Sequence, residues 1–291
     1  MTTHALDGGR VVDVCLGGDP AGLPLVLHHG TPSDATTFAD WDAACAARGL
    51  RLVCASRPGY AGSARRPGRD VAQAAHDTAA LLDRLGHGRF VTAGWSGGGP
   101  HALACAALLP GRCAAAATLA GVGPWGVDGL DFLAGMGPEN VAEFGAALAG
   151  EAALRGWMQA HGEAFRHVGG PALAKAFGGL VPAIDRDVLT GGYAEAMAGV
   201  IRRALAPGFD GWIDDDLAFT RPWGFEPAAI ACPVTVWQGE LDLMVPQAHG
   251  RWLAQAVPGA QLAMVPGHGH LSLVTVYRES ILDALRAAAG P

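Results

Sequence analysis

Residues 89–109, RFVTAGWSGGGPHALACAALL, join an apolar strand-like run to an alanine-rich helical run through a turn with four glycines around one serine. Little else fits so sharp a turn. A residue at its apex adopts positive φ, a strained conformation that costs on the order of 1–3 kcal/mol outside glycine. The residues two before and two after that apex crowd each other, and here they are Gly94 and Gly98. Gly97 opens the helix, where backbone N–H groups are unpaired and favour an anion. A serine held this way between strand and helix, in the pattern G-x-S-x-G, is presented as a nucleophile.

The strand-then-helix rhythm recurs. Segments 10–16, 23–27, 51–55, 89–93, 113–119, 233–237 and 262–265 are predicted strands, and 40–48, 71–85, 101–109 and 276–289 predicted helices. Such alternation predicts an α/β fold, a mostly parallel, doubly wound sheet with helices on both faces. Between about residues 124 and 227 the rhythm breaks. That interval holds helical runs such as 141–148 and 194–205 and carries Trp125, Trp157, Trp212 and Trp223. A connection of this size reads as a helical cap inserted over one sheet edge. The expected division is a core of 1–124 and 227–291 with a cap at 125–226.

Composition narrows the partners. Half the residues are hydrophobic, only 16% are charged, and the net charge is −7. Disorder is not expected, and neither is a nucleic-acid surface. No C-x-x-C spacing appears among the six cysteines, which read as reduced and structural in a cytoplasmic protein with no metal and no cofactor. MTTHALDGGR lacks a signal pattern, and apolar runs stop well short of the roughly 18 residues of a membrane span. The partner expected is a small-molecule substrate.

Ser96 needs a base, and the base needs an orienting acid. The chain order expected here is Ser, then acid, then His. The strand at 233–237 runs into QGELDLMVP and places Asp242 in the following loop; the strand at 262–265 runs into PGHGHLSL and places His270 in the next. Both loops leave the carboxyl edge of the sheet, where parallel sheets put their sites. Glu240 and Asp128 are rival acids and His268 a rival base; His101 is expected to pack on its helix. After the strand at 23–27 comes HHGTPSDA. Gly30 permits a sharp turn, Thr31 can offer its N–H, and Pro32 stiffens the exit, with His29 bracing the loop. Trp95, Trp125 and Trp223 are candidate pocket residues. Helix propensity makes Gly99→Ala mild, even stabilising by about 1 kcal/mol, whereas Gly98→Val should disrupt the turn by clashing with Gly94.

Four motifs, HGTP at 29–32, SRPGYAGS at 56–63, GWSGGG at 94–99, and GELDLMVP with GHGH at 239–246 and 267–270, together resemble the α/β-hydrolase superfamily. The resemblance implies Ser96 as nucleophile, Asp242 as acid, His270 as base, and the backbone N–H groups of Thr31 and Gly97 as oxyanion donors. It implies a serine hydrolase of small carboxylic esters, thioesters or lactones. The alternatives it leaves open are a proline iminopeptidase-like aminopeptidase, a C–C bond hydrolase, a perhydrolase and a non-catalytic ligand-binding member. Within 56–63, Ser56 and Ala61 replace the usual Asp and second Gly of cap-bearing members.

Overall fold

The computed structural model describes residues 1–290. Its strands are β1 (Thr2–Ala5), β2 (Val11–Gly18), β3 (Leu23–His28), β4 (Leu50–Ala55), β5 (Phe90–Trp95), β6 (Cys113–Leu119), β7 (Val234–Gly239) and β8 (Gln261–Val265). They form one sheet in the order β1-β2-β4-β3-β5-β6-β7-β8. β2 runs antiparallel to both β1 and β4, and all other neighbours are parallel. Every residue of β5 is buried, as expected of a parallel strand covered on both faces.

The helices are α1 (Asp42–Ala46), α2 (Gln73–Leu85), α3 (Gly99–Leu108), α4 (Pro138–Leu148), α5 (Glu151–His161), α6 (Glu163–Arg166), α7 (Gly170–Ala176), α8 (Ala183–Val188), α9 (Gly191–Ala204), α10 (Asp210–Phe219), α11 (Gln247–Ala256), α12 (His270–Val276) and α13 (Arg278–Ala288). α3 and α13 pack on β5 and β6, α1 on β2 and β4, and α11 on β7 and β8. Small residues dominate both α3 (GPHALACAAL) and β6 (CAAAATL), which lets the helix sit close on the sheet. From α4 to α10 the chain is helical and supplies no strand among the described residues.

The predicted final helix at 276–289 is α13, and α12 just ahead of it has no counterpart among the predicted elements. The chain turns at Tyr277, whose ring packs on Trp237 and edge-on against His268. β1 and α11 have no counterpart among the predicted elements. Among the described residues, no helix is long and apolar enough to cross a membrane, and all six cysteines are free thiols.

Candidate active site

β5 delivers Ser96 at φ +57°, and one 3-10 turn over Ser96–Gly98 leads into α3. A Cβ on Gly94 would lie 2.0 Å from the Gly98 carbonyl oxygen. A Cβ on Gly98 would meet the carbonyl oxygens of His28 at 2.1 Å and His29 at 2.7 Å, so the clash expected with Gly94 falls on the end of β3 instead. Gly99 is not the tolerant position that helix propensity suggests. Its Cβ would stand 2.7 Å from Gly121 Cα, because the start of α3 presses on the chain leaving β6.

The loop after β7 carries Asp242, fully buried, and α12 begins at His270. His270 Nδ1 donates to Asp242 Oδ2 at 2.8 Å. Asp242 Oδ1 accepts the backbone N–H groups of Met244 (2.9 Å) and Val245 (2.8 Å), which fix the carboxylate for that task. Trp95 lies against the His270 ring, centroids 5.2 Å apart, and its Nε1 donates to the His270 carbonyl at 3.3 Å. The rivals lie elsewhere. Glu240 is exposed and accepts Gly267 N–H at 3.1 Å; Asp128 is exposed; His268 packs on Tyr277.

One residue on this side has no signal in the sequence. Asp185, from α8, is fully buried and accepts the backbone N–H groups of His270 (2.7 Å), Leu271 (3.1 Å) and Ser272 (2.9 Å) and the Ser272 hydroxyl (2.7 Å). These are the orphan donors of a helix start, and a carboxylate is their natural partner. The residue that opens α12 is thus pinned from the helical segment.

The loop after β3 is pinned in the same manner. His29 Nδ1 donates to the Gly30 carbonyl at 2.8 Å, and its Nε2 accepts Arg57 N–H at 3.0 Å. Burial and the Arg57 charge push its pKa well below the usual range, so the ring is neutral. Arg57 also donates to the carbonyls of His29 and Gly30 and to Thr31 Oγ1. Its counter-ion is Asp215 on α10, which further accepts from Thr31 Oγ1 (2.7 Å) and Tyr60 (2.8 Å) and pairs with Arg69 (2.7 Å). Burial alone would raise this carboxyl, but the two guanidiniums hold it well below the usual carboxylate range. His101 lies 3.7 Å from Asp215; burial lowers its pKa to about 4, so it is a neutral packing residue.

Two cavities meet at Ser96. One, of about 420 Å³, is lined by Trp95, Ser96, His270, Trp41 and Tyr193 among others. The other, of about 600 Å³, is lined by Ser96, Gly97 and residues of α4, α5 and α10. Thr31, Pro32, Phe177 and Met244 border both. Of the three candidate pocket tryptophans, only Trp95 lines them. Trp125 packs edge-on against Phe132. Trp223 is buried beside Phe225, and its carbonyl accepts Ala72 N–H where the chain returns to the sheet. Trp41, Trp157 and Trp212 are the other tryptophans that line them.

The sheet order, the turn at Ser96 and the Asp242–His270 pair define a class of hydrolase scaffold. Residues 24–275 match the alpha/beta hydrolase fold family, and the chain belongs to that family. A curated relative, a non-heme chloroperoxidase of Streptomyces lividans, is 37% identical over 138 residues; the match covers 45% of this chain and 49% of that protein, about half its length. Among solved structures, an enol-lactonase from Burkholderia xenovorans LB400 superposes with a TM-score of 0.71 at 20% identity, covering 100% of both chains. An esterase from Rhodococcus sp. ECU1013 superposes with a TM-score of 0.69 at 22% identity, again covering 100% of each chain. At these identities the structural likeness shows the fold alone.

Proposed function

We propose that this hydrolase is a serine hydrolase that cleaves a small carboxylic ester, thioester or lactone through an acyl-enzyme. The observation that carries the reading is the 2.8 Å Asp242–His270 bond beside a cavity that Ser96 and His270 both line. In the proposed reaction, Ser96 Oγ attacks the substrate carbonyl as His270 Nε2 takes its proton. Asp242 holds the Nδ1–H tautomer and stabilises the imidazolium. The N–H groups of Thr31 and Gly97 hold the oxyanion, each worth about 3 kcal/mol in the transition state. The imidazolium then protonates the leaving oxygen or sulfur. Water, deprotonated by His270, attacks the acyl-enzyme, and the acid departs as Ser96 regains its proton.

The 125–226 segment acts as a cap on a core made of 1–124 and 227–291. Supporting this, the walls of both cavities come from both parts. Two cavities meeting at one serine suit the two halves of an ester. The esterase and enol-lactonase likenesses agree with that chemistry. A second reading rests on the partial likeness to a non-heme chloroperoxidase: hydrogen peroxide in place of water would convert the same acyl-enzyme to a peracid.

A panel of p-nitrophenyl esters of increasing acyl length, with amino-acid naphthylamides and peroxide alongside, tests the proposal. Ester turnover that vanishes in Ser96→Ala supports it. Turnover of the naphthylamides alone would move the protein to the peptidases.

A further inference from the structure

The larger cavity at Ser96 is not simply apolar. Glu139, Glu143 and Asp216 line it, and no Lys or Arg does among the described residues. Glu143 on α4 and Asp216 on α10 hydrogen-bond through their carboxyls, and Glu143 also accepts Trp212 Nε1–H at 2.6 Å. Beyond that carboxyl contact, Asp216 Oδ2 and Glu139 Oε2 are buried without a hydrogen-bond partner. Asp216 is only 1% exposed. A buried carboxylate oxygen left without a donor is costly, about 1–3 kcal/mol or more when charged, and such groups are retained where something else completes them. Burial raises both carboxyls, Glu143 up to about 7 and Asp216 well above its usual range, so the pair keeps a shared proton near neutrality.

The two cavities are chemically distinct relative to His270. A leaving group must receive its proton from His270, and His270 lines only the smaller cavity. The acyl half therefore faces the larger one, beside Gly97. Within it, α10 offers Trp212, Asp216 and Phe219 on one face, at the spacing of successive turns. Phe219 touches the Gly97 position, where a Cβ would lie 2.9 Å from its ring. Asp216 is one turn earlier, about 5 Å along the axis, within the span of a short acyl chain. Phe144, Trp157 and Phe165 add aromatic faces, which attract cations. No three His, Cys, Asp or Glu side chains among the described residues converge as metal ligands.

We propose that the larger cavity binds the acyl half of the substrate and that this acyl chain carries an ammonium group, held against the Glu143–Asp216 carboxyl pair. The inference rests on the serine-hydrolase reading for which half of the substrate enters, and it adds the substrate class. The competing view, that the carboxyl pair is only a strut between α4 and α10, makes opposite claims about selectivity.

The test compares methyl 3-aminopropanoate with methyl butanoate, and methyl 6-aminohexanoate with methyl heptanoate, each pair differing by an ammonium in place of a methyl. The wild type is expected to favour at least one amino ester in kcat/KM by about tenfold or more. That ratio should collapse in both Glu143→Gln, which keeps an acceptor for Trp212, and Asp216→Asn. Calorimetry of the same esters on Ser96→Ala reads the cavity without turnover, and the amino ester should bind more tightly. Equal or reversed selectivity in the wild type, with no tighter binding of either amino ester, overturns the inference while leaving the hydrolase reading intact. Tighter binding of an amino ester with no turnover of any ester overturns the hydrolase reading and leaves the cation site standing.

Discussion

Asp242 has two jobs at the scale of its own atoms: one oxygen takes the His270 N–H and the other takes two backbone amides. Asp242→Asn keeps an acceptor for the amides but offers His270 the wrong partner. Its kcat should fall by up to about 10⁴-fold, the loss seen when a triad tautomer is inverted. Glu240→Gln alters an exposed side chain on Gly267 and should leave kcat within a few-fold. Steady-state kinetics of the two variants decide, and the reverse ranking would move the acid to Glu240. The glycines of the turn make a second comparison. Gly98→Val drives a branched side chain into two backbone carbonyls, and Gly99→Ala drives a methyl into Gly121 Cα. Backbone cannot rotate aside, so overpacking of about 1–3 kcal/mol should outweigh the roughly 1 kcal/mol of helix propensity gained by alanine. Thermal melting is expected to show both variants destabilised, Gly98→Val more. A raised Tm for Gly99→Ala would mean the contact with Gly121 is slack.

Helices α8 and α10 tie the helical segment to the site through the buried carboxylates Asp185 and Asp215. Asp185 gathers the first N–H groups of α12, the helix that His270 opens. Asp185→Ala strips these groups of their acceptor inside the protein. The loss should be at least the roughly 2 kcal/mol of a strong helix cap, with kcat lowered because His270 loses its anchor. Differential scanning and ester kinetics on one preparation check both; an unchanged Tm would show that water or another group replaces the carboxylate. This contact also marks where the sequence stops being legible. The turn at Ser96 and the loops of Asp242 and His270 are local patterns, glycine spacing and strand ends, and they can be read from neighbours in the chain. Asp185 meets His270 across 85 residues, and Asp215 meets Thr31 across 184. No periodicity links such positions. β1, four residues of TTHA at the sheet edge, lacks the apolar alternation that marks a strand, and α11 is an amphipathic run obscured by Gly250 inside it. The tryptophans misled for a related reason: ring type signals burial, but which rings face a cavity depends on how the helices pack.

The whole molecule buries an unusual set of titrating groups. His28, His29, His101 and His249 all have pKa values depressed by burial below the ordinary 6.5, His101 and His249 to about 4. Between pH 6.5 and 4 the unfolded chain takes up protons that the folded chain does not, so these four contribute stability above pH 6.5 that is lost as pH falls toward 4. Asp215, held low, loses its contribution in the same direction. Glu143 and Asp216, raised, act oppositely: their contribution is complete below the ordinary carboxylate range, and that of Glu143 is lost as pH rises through about 7. The histidines outnumber them, so urea midpoints should fall steadily from pH 6.5 to 4.5; a flat or rising profile would show that these rings are solvated or charged in the folded state. The proposed chemistry rests on one serine at positive φ, and labelling tests it directly. Wild-type protein treated with a fluorophosphonate should gain one adduct by intact mass, mapped by peptide digestion to Ser96, and Ser96→Ala should gain none. An unlabelled wild type that is folded, or an adduct on any other residue, would contradict the assignment of Ser96 as the nucleophile.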